Sequence, residues 1–312
     1  MKCINDKKPL VAIHCLVYNH EPYLRDCFEG FVMQQTNFPF VAIVHDDAST
    51  DNSAAIIREY EVNYPHIFTP IYEIENQFSK RDGSLELIMN AAIEATGAKY
   101  VAMCEGDDYW TNPLKLQKQV DFMEANSECS LCFHKVSTLI QETGEVKDEI
   151  IVRDMPEKST ILDLAEGNYI HTPSVLYRLY PSFLEMFYKM TPVLPADYVM
   201  WMLLAKKGYI YKMDEPMSVY RFGSGIWSNK QSYKNSLSAV QMLCKLSVVC
   251  DADVKQILMQ FQLNPMTKHL YETVECLEKQ LVNIRHSYAY RLGKLLLKPF
   301  SWLRRFLKFK TK

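Results

Sequence analysis

Three carboxylates stand close together in the segment Glu105-Gly106-Asp107-Asp108. In extended chain, Glu105 and Asp107 point to the same side because side chains alternate along a strand. Carboxylate oxygens with no cysteine or histidine cage beside them suit a hard divalent cation such as Mg²⁺ or Mn²⁺. Because such cations usually hold phosphate, this spacing predicts one metal ion that bridges to a diphosphate.

Polar residues follow four short apolar runs, and each run is predicted to form a buried strand. The pairs of run and polar residues are Leu10 to Val17 with Asn19 and Glu21, Phe40 to Val44 with Asp46 and Asp47, Ile67 to Ile74 with Asn76, and Tyr100 to Cys104 with Glu105, Asp107 and Asp108. Strands alternating with amphipathic helices predict a parallel sheet with helices on both faces, and such sheets bind ligands at the carboxyl ends of their strands. Any one of these residues alone is better explained as a helix cap or turn residue. Four consecutive strand ends at one edge favour a binding site.

In their order and spacing these motifs resemble family 2 of the nucleotide-sugar-dependent glycosyltransferases, which have the GT-A fold. The similar segments are Val11 to Asn19, which ends in Val-Tyr-Asn, His45 to Ser53, and Ala95 to Trp110, which contains Glu105-x-Asp107. The resemblance covers about residues 9 to 125 and continues more loosely to about residue 228. It implies an α/β, Rossmann-like, mostly parallel sheet with antiparallel additions.

The resemblance also implies a reaction and its partners. The donor would be a nucleotide-diphosphate sugar, with UDP as the default nucleotide, and the cofactor a divalent Mn²⁺ or Mg²⁺. Asp107 would hold the metal with support from Glu105 or Asp108. The residues implied to bind the nucleotide sugar are Val17, Tyr18, Asn19, Glu21, Asp46, Asp47, Asn76, Glu105, Gly106 and Arg221.

A transferase of this kind needs a general base to take the proton from the acceptor hydroxyl. The segment Pro195-Ala196-Asp197-Tyr198 begins a predicted helix and resembles the family's Glu-Asp motif on the acceptor side, which implies Asp197 as the base. The alternative is a helix-start aspartate that the helix dipole favours. Similarity at several neighbouring positions favours the catalytic interpretation, and a single displacement would invert the anomeric centre.

The chain departs from the family pattern at three positions. Glu105 replaces the first aspartate of the metal motif, and Ala196 replaces the first acid of the Glu-Asp pair. Phe222 stands where family members often carry a histidine after the arginine, here Arg221. These departures leave open whether Glu105 binds metal or ribose. They also leave open whether Arg221 faces the diphosphate or forms a structural ion pair.

After residue 129 the strand-like stretches predict antiparallel additions to the sheet. They are Ser130 to Val136, Ser174 to Arg178, Tyr209 to Met213 and Met217 to Phe222. The expected glycosyltransferase domain covers residues 1–228, with a nucleotide half at about 9–125 and an acceptor half at about 126–228. A helical extension is expected over residues 229–312.

Two segments of the extension suggest partners. Residues 266–285 carry an apolar seam with alternating spacings of four and three: Leu270, Val274, Leu277, Leu281 and Ile284. At this length a homodimeric coiled coil and packing on the body are equally well supported. Residues 286–312 mix Leu, Phe and Trp with basic residues and no acid. They suit either a helix lying on an anionic membrane face or a solvated basic terminus on the acidic body.

Composition narrows the functional class. The 312 residues are 48% hydrophobic with a net charge of -2, and every charged residue from Lys279 onward is basic, so the preceding body is acidic. An acidic body argues against nucleic acid as a partner, because phosphate binding needs a basic face. Nine cysteines, an odd number scattered among apolar residues, predict a reducing cytoplasm. The cysteines and the basic residues 286–312 together favour a cytoplasmic location or a peripheral one on the inner face of the plasma membrane.

The acceptor implied by the resemblance is a glycan or lipid-linked glycan in cell-surface polysaccharide or lipopolysaccharide assembly. Two other functions stay open. A nucleotide-sugar pyrophosphorylase would need a glycine-rich phosphate loop near the first strand, and residues 15–25 contain no glycine. A non-catalytic nucleotide- or carbohydrate-binding relative would lack the metal acid or the base, whereas Asp107 and Asp197 are both present.

Overall fold

The computed structural model describes residues 8–147, 155–180, 186–187, 189–190, 192, 195–223, 233–287 and 292. The chain divides into two compact units, Met1–Leu263 and Asn264–Lys312. The domain boundary expected near residue 228 lies outside the described residues, as does nearly all of the basic tail.

The strands of the described residues belong to one sheet. They are β1 Val11–Val17, β2 Phe40–Asp46, β3 Phe68–Tyr72, β4 Tyr100–Met103, β5 Tyr109–Trp110, β6 Cys129–Ile140, β7 Val146–Lys147, β8 Lys158–Ser159, β9 Leu176–Arg178 and β10 Tyr209–Phe222.

Helices connect these strands and follow the last of them. They are α1 Leu24–Val32, α2 Ser53–Asn63, α3 Gln77–Lys80, α4 Ser84–Thr96, α5 Lys115–Ala125, α6 Ile161–Ala165, α7 Ala196–Ala205, α8 Tyr233–Val249, α9 Ala252–Ile257 and α10 Asn264–His286, with a 3₁₀ turn at Thr172–Ser174 and a π-helical turn at Leu258–Leu263.

The first half of the sheet is parallel, as the sequence predicts. The strand order is β3-β2-β1-β4-β9-β6-β10-β5, and β1 pairs in parallel with both β2 and β4. The chain therefore passes from β1 to one side through β2 and β3 and then returns to the other side at β4. A crevice forms at the carboxyl ends of the strands where the order reverses, so the loops after β1 and β4 border the same opening.

The second half is mixed. Antiparallel pairing is confirmed for β9 with β4 and β6, and for β5 with β10. Between β6 and β10 themselves the expectation of antiparallel pairing is wrong, because these two strands run parallel to each other. The segment between them contains α6, β9 and α7, which is long enough for the crossover that parallel strands require. A register shift between Met213 and Ser218 also joins the two predicted strands into one β10.

Aromatic packing fixes α1 against the sheet. The ring centroids of Phe28 and Phe68 lie 4.9 Å apart, and so do those of Phe31 and Trp110. Gly30 allows this approach, since a Cβ there would lie 2.9 Å from the backbone nitrogen of Trp110. Trp110 lies two residues after Asp108, so the buried face of α1 supports the loop that carries the carboxylates.

No helix within the described ranges is both long enough and apolar enough to span a bilayer.

Candidate active site

The loop after β4 carries the acidic segment into the crevice. Its position is set by backbone hydrogen bonds to β1: Cys104 N donates to His14 O at 3.1 Å and Gly106 N donates to Leu16 O at 3.0 Å. A Cβ at Gly106 would lie 2.7 Å from Nδ1 of His20 and 3.1 Å from Cγ2 of Val17. Only a glycine lets this loop pack directly on the loop after β1.

Four carboxylates act on one another at this opening. Burial, together with the negative charges of Asp107 and Asp197, raises the pKa of Glu105 to about 8. Burial and the charge of Asp107 also raise the pKa of Asp108 well above its usual range. Asp197 begins α7, far along the chain, yet it lies close enough to Glu105 to affect its protonation. The fold therefore brings the predicted base and the predicted metal motif to one site.

Asp108 has a structural partner within this cluster. Its Oδ1 accepts a 2.8 Å hydrogen bond from the backbone nitrogen of Arg221 on β10. The guanidinium of Arg221 forms an ion pair with Asp26 of α1 and lies between the rings of Tyr23 and Tyr109, 5.0 and 4.9 Å from their centroids. This is the structural ion pair that the sequence left open for Arg221. Contact of Arg221 with a diphosphate stays a prediction.

The loop after β1 is tied to the segment after β2. Asn19, in the left-handed region at φ 55°, accepts a 2.8 Å hydrogen bond from Thr50 N with Oδ1. Both carboxylate oxygens of Glu21 bind Asn52, through its backbone nitrogen at 3.1 Å and its side-chain nitrogen at 2.7 Å. Tyr18, which directly follows β1, is 45% exposed, and its contact with a nucleotide stays a prediction.

The residues predicted after β2 and β3 are engaged with the protein's own backbone. Asp46 is buried and accepts from Ser49 N at 3.3 Å. The two carboxylate oxygens of Asp47 accept from the backbone nitrogens of Gln77 at 2.6 Å and Phe78 at 3.0 Å. Asn76 caps α3, and its Nδ2 donates to Asp47 O at 3.1 Å. Asp47 and Asn76 thus form the α3 start, and nucleotide contact by either stays a prediction.

Asp197 lies in the first turn of α7, and its Oδ1 accepts from Tyr198 N at 2.7 Å. Burial raises the pKa of its carboxyl group, against the lowering by that hydrogen bond. A carboxylate whose pKa is shifted toward neutrality is a better proton acceptor at physiological pH than an ordinary one. The geometry is therefore compatible with a general base facing the acidic loop.

The donor set fits a divalent cation. Glu105 and Asp107 supply hard oxygen atoms at a crevice. Burial, together with the charge of Asp107, raises the pKa of Glu105, and a bound cation would oppose that rise. Within the ranges that the structure describes, no three Asp, Glu, His or Cys side chains already form a metal cage. A cation held by these acids would therefore complete its shell with ligand oxygens or water, as Mg²⁺ commonly does.

Sequence reasoning missed two residues at the opening. Tyr220, on β10, lies within electrostatic range of Glu105, Asp107, Asp108 and Asp197, and burial together with these charges raises its pKa. The ring of His171 packs on Tyr220 with centroids 4.9 Å apart. Arg221, its neighbour in the chain, is the residue that the sequence predicts at the site, and because side chains alternate along a strand, that prediction turns Tyr220 away from the site. No local signal therefore identifies Tyr220.

Comparison with known proteins agrees with the geometry. Residues 13–156 match the family described as Glycosyl transferase family 2. An uncharacterised protein of Mycobacterium tuberculosis is 37% identical over 218 residues, which are 70% of this chain and 60% of the relative. Bacillus subtilis TuaG, which bears the name of a teichuronic acid biosynthesis glycosyltransferase, is 31% identical over 226 residues, 72% of this chain and 83% of TuaG. The chain thus spans about 60% of the mycobacterial protein's length.

Solved structures share the fold. A crystal structure of S. aureus TarS 1-349 in complex with UDP-GlcNAc has a TM-score of 0.60 at 17% identity, over 80% of this chain and 71% of TarS 1-349. The mannosyltransferase PcManGT from Pyrobaculum calidifontis, in complex with GDP-Man and Mn²⁺, has a TM-score of 0.56 at 16% identity, over 93% of this chain and 84% of its own. The likeness to TuaG, the match over residues 13–156 and the shared fold together show that this chain belongs to glycosyl transferase family 2.

Proposed function

We propose that this chain is an inverting glycosyltransferase that moves a sugar from a nucleotide-diphosphate sugar to a hydroxyl group. The observation that carries the proposal is the convergence of Asp197 with Glu105 and Asp107 at one crevice. One group of acids suits a metal-bound diphosphate, and the other acid suits a hydroxyl acceptor. Both are required for a transfer by single displacement.

In the proposed reaction Tyr18 stacks on the nucleobase and the loops after β1 and β2 hold the nucleoside. Glu105 and Asp107 bind the divalent cation, and Asp108 supports their loop through Arg221 N. When bound, the cation neutralises the charge that develops on the leaving diphosphate. Asp197 takes the proton of the acceptor hydroxyl as its oxygen bonds to the anomeric carbon and the bond to the diphosphate breaks. The electron pair of that bond leaves with the nucleotide.

The proposal also includes a donor nucleotide and a class of acceptor. UDP is the first choice of nucleotide from the family resemblance, and TarS with UDP-GlcNAc supports it, while PcManGT with GDP-Man supports GDP. The name of TuaG supports an acceptor in cell-surface polysaccharide assembly. A role in lipopolysaccharide assembly rests on the family resemblance alone.

Membrane contact through residues 286–312 and a homodimer through residues 266–285 also remain proposals, together with a cytoplasmic or inner-face location. The seam side chains Leu277, Leu281 and Ile284 are each about half exposed along α10. Sedimentation of the full chain over a concentration series tests the dimer. Flotation with anionic vesicles, with and without residues 286–312, tests the membrane contact.

Thermal unfolding with a nucleotide panel tests the central proposal. The full chain is heated with UDP, GDP, dTDP or CMP, each with and without Mn²⁺, because a ligand that binds only the native state raises the unfolding midpoint. We expect a metal-dependent rise with one nucleotide, lost in Asp107→Asn. If no nucleotide at millimolar concentration moves the midpoint, the proposal is wrong and a non-catalytic binding function becomes the better explanation.

A further inference from the structure

Tyr220 on β10 and His171, just before the 3₁₀ turn, form an aromatic pair next to the acidic loop. Their ring centroids lie 4.9 Å apart with the planes tilted by 38°. Arg221, the next residue on β10, contacts Tyr23, Tyr109 and Asp26 instead. Because successive side chains of a strand face opposite ways, Arg221 holds α1 while Tyr220 faces the carboxylates.

Both members of the pair are held in place by the core. The backbone nitrogen of Arg221 is fixed to Asp108, so the peptide that follows Tyr220 is anchored at the acidic loop. His171 precedes the 3₁₀ turn, where Ser174 Oγ donates to His171 O at 2.6 Å. The indole nitrogen of Trp110 donates to Pro173 O at 3.0 Å, which ties the same turn to β5. The backbone next to Tyr220 and the backbone next to His171 are therefore both tied to neighbouring elements of the site.

The position of Tyr220 matches the place where the transferred sugar would lie. The peptide that follows Tyr220 is bonded to Asp108 of the acidic loop. The phenol lies within electrostatic range of Asp107 and Glu105, the metal-side acids, and of Asp197, the proposed base. In a single displacement the sugar lies between the leaving diphosphate and the base. The carboxylates around this position can only accept hydrogen bonds once ionised, whereas sugar hydroxyls and phosphate oxygens also need donors. A phenol is a neutral donor, and it adds no negative charge to the cluster.

We propose that the Tyr220 hydroxyl contacts the sugar moiety of the bound donor and that the His171 ring positions it. This inference rests on the proposed function, because it assigns a residue to the sugar part of the same donor site. Tyr220 would then contribute to the affinity for the sugar nucleotide and to the choice of sugar, and little to the affinity for the nucleotide alone.

Paired binding measurements separate the sugar from the nucleotide. Isothermal calorimetry with Mn²⁺ compares UDP with UDP-GlcNAc, and GDP with GDP-mannose, on the wild type and on Tyr220→Phe. We expect the variant to bind the nucleotide diphosphate as the wild type does and the matching sugar nucleotide about 5- to 10-fold more weakly, as for one lost hydrogen bond. Tyr209→Phe is the matched control, since Tyr209 lies on the same strand and its hydroxyl donates to Asn126 at 3.2 Å.

The positioning role of His171 is tested by two substitutions that distinguish it from a general loss of packing. His171→Ala should reproduce part of the loss of sugar-nucleotide affinity, and His171→Phe, which keeps a ring against Tyr220, should restore it. Equal affinities of wild type and Tyr220→Phe for the sugar nucleotide would overturn the inference and leave the proposed function intact. A parallel loss for nucleotide and sugar nucleotide would also overturn it. A wild type that binds none of UDP, GDP, dTDP and CMP in the presence of Mn²⁺ would overturn the proposed function itself and the inference with it.

Discussion

The backbone nitrogen of Arg221 donates a 2.8 Å hydrogen bond to Oδ1 of Asp108, 113 residues earlier in the chain. This bond joins β10, the strand that carries Tyr220, to the loop that carries Glu105 and Asp107. Both partners are buried. The buried carboxylate of Asp108 therefore joins β10 to the acidic loop, next to the pairing of β10 with β5.

Replacing Asp108 should reveal this structural role. Asp108→Ala leaves the buried N–H of Arg221 without an acceptor, which costs about 1–3 kcal/mol of unfolding free energy. Asp108→Asn keeps an oxygen at the same position and removes a charge whose burial is unfavourable, so its stability should stay near that of the wild type. Urea denaturation measures both variants. Equal stabilities of Asp108→Ala and Asp108→Asn would contradict the assignment.

Asp197→Asn should separate binding from transfer. The amide keeps the size and the Oδ1 acceptor that binds Tyr198 N, but it cannot take a proton from the acceptor. We expect the metal-dependent nucleotide affinity to be unchanged and the turnover to fall by roughly 10²–10⁴, the usual contribution of a general base. Calorimetry and a donor-hydrolysis or transfer assay are compared on the same preparation. Loss of nucleotide affinity together with turnover would argue that Asp197 binds the donor instead.

Much of the site could be predicted because buried strands and the loops after them are visible in sequence. The parallel order of β1 to β4 follows from their apolar runs, and the convergence of their polar ends follows from that order. The part played by Asp47 could not be predicted in the same way. An aspartate after a strand suits a ligand contact and a helix start equally, and here its oxygens accept from Gln77 N and Phe78 N.

The position of Tyr220 and the contact of His20 with Gly106 could not be predicted, because both depend on residues far apart in the chain. The position of Tyr220 beside the acids depends on the parallel pairing of β6 with β10 and on the shift between Met213 and Ser218. Neither is visible in local sequence, since both follow from the crossover between strands far apart in the chain. The packing of His20 on Gly106 is similar, because it joins two loops through space.

Gly106→Ala tests that contact. The new Cβ would lie 2.7 Å from His20 Nδ1 and 3.0 Å from Leu24 Cδ1, so the acidic loop must shift. We expect the metal-dependent nucleotide shift to weaken strongly while the protein remains folded. Adding His20→Ala should restore part of the binding, since it removes the nearest of the three atoms around the new Cβ.

The double-mutant cycle decides whether the two residues act through this contact. Effects of residues that touch are not additive, whereas those of independent residues add within about 0.5 kcal/mol. His20→Ala alone serves as the third corner of the cycle. Additive losses of nucleotide affinity in the double variant would contradict steric coupling between Gly106 and His20.

Lys115 gives a prediction about pH and stability. Its side chain is fully buried, with Nζ 2.7 Å from Gln119 Oε1 and 4.1 Å from the Trp110 ring centroid, and burial lowers its pKa from 10.5 to about 7. Between about pH 7 and 10.5 the unfolded chain binds a proton at Lys115 that the folded chain releases. The free energy of unfolding therefore rises with pH in this window, by up to about 1.4 kcal/mol per pH unit from this group.

Comparison with Lys115→Met isolates that contribution, because the other titrating groups cancel in the difference. Urea denaturation at pH 7, 8 and 9 should show the wild type gaining stability relative to Lys115→Met at each step. Lys118→Met, on the same helix at a partly exposed position where the lysine pairs with Glu215, controls for removing a lysine from α5. Wild-type and Lys115→Met stabilities that stay parallel over this pH range would mean that Lys115 keeps its proton inside the folded core, held there by Gln119 and Trp110.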